Sequence, residues 1–242
     1  MAKLDAIAML AETDGVVLVD KPENLSAHDV VKAVKAHFNL VKVGHGGTLE
    51  PNGTGLMALL VGDGTHLSQD IMGADRVYTA TIRLGRVTNT QDRDGATLSE
   101  QPFDGVTREK LDAALPEFRG DIFQTPPPFS VFKRPDRPTC DVGTTDPADL
   151  QTRLSHVYRL AVTDFAPPLV SFELFCTKGF IARAFAHDLG QLLGCGACLE
   201  SLRRTKQGRF DIADAIGFMD LLKLDAAGFL GRVIPLNEAR AR

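Results

Sequence analysis

The chain has 242 residues, 44% of them hydrophobic and 24% charged, with a formal net charge of −4. That balance suits one large soluble domain or two small ones, and it lacks the overall basic excess that announces a nucleic-acid binder. No apolar run approaches the ~18 residues that would span a bilayer, and Cys140, Cys176, Cys195 and Cys198 are too few for a disulfide scaffold in a chain of this size. The opening MAKLDAIAMLAETDG is broken by Asp5 and Glu12 and makes a poor leader. A cytoplasmic protein is expected.

Gly15-Val-Val-Leu-Val-Asp20 reads as a buried strand ended by Lys21-Pro22. Ser26-Ala-His-Asp29 has the form of a capping box, with Asp where Glu is more usual. Val30, Val31, Val34 and Phe38 then give a helical apolar face. Residues 44–55, GHGGTLEPNGTG, hold five glycines and one proline and predict a loop with unusual backbone demands. Leu56–Val61 has strand length, Thr65 is placed to cap a short helix through Met72, and Val77–Leu84 is rich in strand formers before a polar turn at Asn89–Gly95. Thr107 caps a predicted helix to Phe118, stopped by Gly120. The prolines of 124–150 predict an irregular loop. Val170, Phe172, Leu174 and Cys176 alternate as in a strand. Ile181, Phe185, Leu189 and Leu192 follow helical spacing up to Gly194, and on that pattern Arg183 points away from the apolar face. Leu199–Phe210 reads as a strand or hairpin, followed by a helix near Ala213–Leu222.

Strands and helices mix without βαβ alternation, which predicts an α+β fold with a mixed, largely antiparallel sheet. Neither G-x-G-x-x-G nor a P-loop pattern occurs. Cys195-Gly-Ala-Cys198 has metal-site spacing, but a structural zinc needs about four ligands and no second pair supplies them. Residues 203–209 carry four basic side chains in seven positions, a local patch on an acidic body; on charge alone it reads as a solvated hairpin.

Several segments together carry a resemblance. They are Gly15–Pro22 with Ser26–Val31; Gly44–Pro51 continuing to Gly53-Thr-Gly55; Asp75–Tyr78, Arg83–Gly85, Thr88–Asp92 and Asp94-Gly95; Phe118–Asp121 with Gln124–Pro127; and Cys176–Gly179, Arg183, Asp188–Gly190, Leu193–Ala197 and Leu202–Arg204. Any one of them is weak. In this order, over about residues 15–216, they are specific, and the chain is similar to the bacterial tRNA pseudouridine-55 synthase (TruB) family. The resemblance implies a pseudouridine-synthase-like α+β fold with helices flanking the sheet. It also implies an isomerase that flips a T-arm uridine of tRNA into a pocket, breaks its glycosidic bond, turns the base and rejoins it through C5. Flipping costs a few kcal/mol of unstacking, of which an aromatic side chain returns roughly 1–3 kcal/mol. No cofactor or metal is implied, and the partner is the tRNA T-arm, bound by a monomer that touches no membrane.

Carried over residue by residue, the resemblance puts Glu50 where the family has its catalytic Asp, in the motif G-G-T-L-D-P. It assigns Arg183 to holding that carboxylate, and His45, Tyr78, Ile181 and Leu202 to the base pocket, with Tyr78 stacking on the uracil. Arg203, Arg204 and Lys206 are expected to meet the RNA backbone. The extra methylene of Glu50 shifts the carboxylate by on the order of 1 Å. Ile181 replaces a pocket tyrosine, with Phe180 beside it to refill the space. Residues 129–150 keep only the opening of a family RNA-gripping loop, and Cys198 stands where the family has histidine, so its C-x-x-C arises by coincidence. The two pocket changes make a catalytically impaired tRNA-binding or tRNA-folding protein of the same fold the alternative. The expected organisation is an N-terminal extension at 1–14, a catalytic domain at 15–222 and a short tail at 223–242, with no PUA domain.

Overall fold

The structure is a computed structural model that describes residues 9–127 and 151–241. In chain order its elements are β1 (Gly15–Lys21), α1 (Ala27–His37), β2 (Val43–His45), β3 (Gly53–Val61), α2 (Ser68–Gly73), β4 (Arg76–Leu84), β5 (Arg86–Thr88), β6 (Thr97–Glu100), α3 (Arg108–Ala114), β7 (Gly120–Gln124), β8 (Arg153–Ala166), β9 (Leu169–Cys176), α4 (Ala182–Leu193), β10 (Ala197–Gln207), β11 (Phe210–Asp211), β12 (Ile216–Gly217), α5 (Phe218–Leu221), α6 (Ala226–Leu230) and α7 (Leu236–Ala241). They divide into two compact units. The first joins the chain up to Arg76 with the chain from Arg203 onward, and the second is Val77–Leu202.

In the first unit the strand order is β12-β1-β3-β10, with β2 on β3 and β11 on β10. β1 runs antiparallel to β3 and parallel to β12. Both central strands are covered on both faces, which is why they read as continuous apolar runs instead of alternating ones. Val17, Val19, Met57, Leu59 and Val61 face one core with α1, while Val16, Leu18, Leu56, Ala58 and Leu60 face another with Leu67 and Ile71. The capping box forms as the sequence predicts: Ser26 Oγ accepts from Asp29 N at 3.1 Å and the Asp29 carboxylate accepts from Ser26 N at 2.9 Å.

In the second unit the order is β10-β4-β9-β8-β7, and β7, β8 and β9 pair antiparallel. Val170, Phe172, Leu174 and Cys176 are all fully buried, as their alternation requires. Phe172 and Phe118 meet Phe185 of α4 edge-on at 5.5 and 5.3 Å. Gly194 ends α4 in the left-handed region at φ 80.

Several expectations are corrected. β2 runs to His45 and β3 begins at Gly53, so both ends of the glycine-rich stretch are strand and only its middle is loop. Thr65 sits inside a 3-10 segment, Gly62–Leu67, and gives its hydroxyl to Gly62 O at 2.9 Å instead of capping. Pro116 turns the end of the Thr107-capped helix into 3-10 geometry. Leu192 is 54% exposed. Residues 212–222 form a 3-10 turn, a short strand and α5 instead of one helix. The reading of 129–150 lies outside the described residues.

The segment from 223 is not a loose tail. Phe229 is fully buried and its ring lies 4.3 Å from that of Phe38, while Val16 and Ile234 exchange both backbone hydrogen bonds, at 3.0 and 2.8 Å. Leu10 and Asp14 are tied down too, Leu10 in the core and Asp14 through an Asp63 N–H bond to its Oδ1 at 2.6 Å. Truncating a buried phenylalanine costs roughly 3–5 kcal/mol, so Phe229→Ala is expected to lower the urea-unfolding free energy by that amount. A solvated tail would leave the urea midpoint unchanged.

Candidate functional site

The glycine-rich loop between β2 and β3 carries His45 and Glu50, and most of its shape comes from donors elsewhere in the first unit. Arg204, on β10, is fully buried. Its Nε donates to Leu56 O at 2.7 Å, and its Nη groups reach Thr48 O and Gly47 O at 3.4 Å. Gln207 Nε2 donates to Gly46 O at 2.6 Å and Ile71 O at 2.7 Å. Glycine is required where β10 comes closest: Gly55 has φ 100, and a Cβ there would fall 2.2 Å from Arg204 O.

Lys21 closes the other side. Its side chain is fully buried, and Nζ donates to Leu25 O at 2.6 Å, Pro22 O at 2.9 Å and Pro51 O at 3.2 Å. The last of these fixes the residue next to Glu50. Burial lowers the Lys21 pKa to about 8, with Glu23 opposing the shift and Arg204 adding to it. Glu50 is half-buried at the turn, where its carbonyl accepts from Gly53 N at 3.0 Å.

His45 is half-buried, and its Nδ1 accepts from Gly47 N at 3.3 Å. Burial first, then the Arg204 guanidinium and the His28 imidazole, lower its pKa. The ring is therefore neutral at pH 7 with its proton on Nε2, a hydrogen-bond donor facing outward from the loop's own bond.

In the second unit Tyr78 is buried on β4 at 9% exposure and Leu202 is half-buried on β10. Arg183 is not a surface residue: it is 4% exposed, donates from Nη1 to Thr90 O at 3.0 Å and lies 3.9 Å from the Asp92 carboxylate. Asp92 is braced by the turn itself, accepting from Thr90 Oγ1 at 2.6 Å and Asp94 N at 3.1 Å. Ile181 is the N-cap residue of α4, and both of its backbone groups are held by the Gln124 amide. Phe180 packs its ring on Phe185 at 5.9 Å.

The basic patch is reassigned in part. Arg204 cannot reach RNA, since its guanidinium is sealed among loop carbonyls. Arg203 makes a two-pronged pair with Asp20 at 2.7 and 3.0 Å, and Lys206 pairs with Asp211 at 2.8 Å; both remain partly exposed. Cys195 and Cys198 are buried, and burial pushes the Cys198 thiol up to about 11, the opposite of what thiolate chemistry needs. Among the described residues no group of three or more His, Cys, Asp or Glu side chains is arranged to hold a metal ion.

Lys21, Gln207, Asp92, Gln124 and Ser155 were given no role by the sequence. Only Lys21 carried a signal, as a charged side chain closing the apolar run of β1, which demands a partner when buried.

The lowered Lys21 pKa has a measurable sign. Between about 8 and the ordinary 10.5 the unfolded chain binds more protons at this position than the folded one, so stability gains with rising pH there and is indifferent to pH below it. The stability of the wild type minus that of Lys21→Met, from urea titrations, is expected to grow from pH 8 to pH 10. A flat or falling difference would contradict the burial of this ammonium.

A family profile described as TruB family pseudouridylate synthase (N terminal domain) matches residues 35–181, and one described as tRNA pseudouridylate synthase B C-terminal domain matches residues 183–235. The tRNA pseudouridine synthase B of Opitutus terrae is 42% identical over 229 residues, covering 94% of this chain and 95% of that one. That of Pseudomonas aeruginosa is 37% identical over 215 residues, covering 88% and 70%. A solved Cbf5–Nop10–Gar1 complex contains a chain that superposes with a TM-score of 0.74 at 28% identity, over 96% of this chain and 63% of that one. With the first profile matching more than half of the chain and a relative 42% identical over nearly the whole of both chains, the chain belongs to the TruB family of pseudouridylate synthases.

Proposed function

We propose that this protein isomerises a uridine of tRNA to pseudouridine, that the uridine is the one in the T-arm, and that the chain works as a monomer in the cytoplasm. The observation that carries the reading is membership of the family, at 42% identity to a relative named for this activity, together with a carboxylate kept at the end of the glycine loop.

The reaction needs no net reactant. The N1–C1′ bond breaks, the uracil turns, a C5–C1′ bond forms, C5 gives up its proton and N1 ends with one. Positive charge develops at C1′ as the first bond breaks, and an anion held in a preformed loop stabilises it without reorganisation. Glu50 is that anion and takes up the C5 proton after rejoining. His45, neutral and with its free proton on Nε2, donates a hydrogen bond to the flipped nucleotide. The Tyr78 ring packs on the uracil, and Ile181 and Leu202 give the pocket apolar walls. Arg183, fixed by Thr90 and Asp92, supplies a cation that keeps its orientation through the cycle.

Release of tritium from tRNA transcripts labelled at uridine C5 tests this. Wild type is expected to turn over on a T-arm stem-loop. Glu50→Gln should lose about 10²-fold or more, and Glu50→Asp, which keeps the anion about 1 Å short, should retain more activity than the amide. Absence of pseudouridine at stoichiometric wild-type enzyme overturns the reading.

A further inference from the structure

α4 starts without a side-chain cap: Ile181, which occupies the N-cap position, makes no side-chain capping hydrogen bond. The peptide groups of that N-cap residue are instead held from 57 residues earlier, where β7 ends. Gln124 Oε1 accepts from Ile181 N at 2.9 Å, and Gln124 Nε2 donates to Ile181 O at 3.0 Å. The two bonds determine which way round the amide sits. Ser155 Oγ, on β8, donates to the same Oε1 at 3.2 Å and fixes the rotamer. Gln124 is 3% exposed and Ser155 2%, so water competes little for their side chains.

A side chain that grips both polar groups of one peptide position fixes that residue's place and tilt, not just its distance. Ile181 O is also the acceptor of the first helical bond, from Phe185 N at 3.0 Å, so the clamp sets where α4 begins and how its first turn is rotated. Arg183 leaves that first turn, and its long side chain amplifies a small rotation at the helix start. Its contacts at 3.0 Å with Thr90 O and 3.9 Å with Asp92 leave little tolerance for such a shift. We propose that Gln124, braced by Ser155, is a positioning residue for the isomerisation: it clamps the N-cap residue of α4 by both peptide groups and thereby places Ile181 and aims Arg183.

This inference rests on the proposed activity, and two separate measurements keep them apart. Gln124→Met keeps the length of the side chain and deletes all three hydrogen bonds; Ser155→Ala deletes only the brace. The intact chain is used throughout. Single-turnover rates on the T-arm stem-loop are expected to fall about tenfold or more for Gln124→Met and less for Ser155→Ala, in line with the cost of a misplacement of up to 1 Å. The RNA dissociation constant should stay within about twofold. Without RNA, amide exchange at Ile181–Phe185 should quicken in Gln124→Met while the amides of β9 keep their protection. Wild-type rates in both variants overturn the proposal whatever the exchange shows, and so does a rate loss matched by an equal loss of RNA affinity. If Gln124→Met fails to fold, Ser155→Ala decides: a slowed rate with unchanged affinity supports the proposal and an unchanged rate rejects it. If wild type forms no pseudouridine, the activity is what fails, and the exchange at α4 alone supports or rejects the anchor.

Discussion

The geometry of the glycine loop depends on a cation that never meets solvent. A loop of this composition has large conformational freedom to lose and few side chains with which to hold itself. Its carbonyls at Gly46, Gly47 and Thr48 face inward, where each needs a donor. Arg204 and Gln207 supply them from β10, and Leu56 O, at the start of the buried part of β3, takes the strongest of the Arg204 bonds at 2.7 Å. Glu50 sits at the turn that this scaffold produces, with Lys21 fixing the carbonyl of the following proline. Removing the guanidinium would leave several buried acceptors unpaired at once, each worth on the order of 1–3 kcal/mol.

The same cation reaches into the chemistry. Its charge, after burial itself, holds His45 in the neutral form, and the loop conformation it enforces brings Gly47 N to His45 Nδ1. One nitrogen is thereby occupied as an acceptor and the other is left as a donor. The protein thus obtains a hydrogen-bond donor of fixed tautomer from a residue that in water would be partly protonated near neutral pH. A histidinium in its place would set a second positive charge beside Arg204, so the structural role of the arginine and the protonation state of the histidine are one electrostatic fact.

Local rules were legible and long-range ones were not. The Ser26 capping box, the buried runs of β1 and β3, the alternation of β9 and the glycine stop of α4 each follow from neighbours within a few residues. β8 was missed because its fourteen residues, RLSHVYRLAVTDFA, mix charges into both faces and carry two register shifts, which erase the period of two. The basic stretch on β10 was read as one surface patch because a run of like charges does not say which members point inward; Arg204 does, and its partners lie about 150 residues away. Helical spacing alone puts Arg183 on the polar side of its helix; what buries it is the turn at Thr90–Asp92, about 90 residues earlier in the chain. The packing of the C-terminal segment is likewise long-range: Phe229 is buried and Ile234 bridges to Val16 of β1, more than 200 residues earlier.

These partnerships also explain why no single motif in the chain was diagnostic while the ordered set was. The glycine loop is completed by Arg204 of the last motif. The Thr88–Asp92 turn holds Arg183 of the helix that follows β9. The Gln124 of the proline-rich motif clamps the start of that helix at Ile181. Each short stretch supplies one half of a hydrogen bond or ion pair whose other half is in a different stretch, and a buried half without its partner is destabilising. A chain that carried one of them by chance would gain nothing from it and would have to hide an unsatisfied polar group. Retaining all of them in register is stable only if the fold that joins them is retained too, so the order of the motifs is itself a statement about three-dimensional structure.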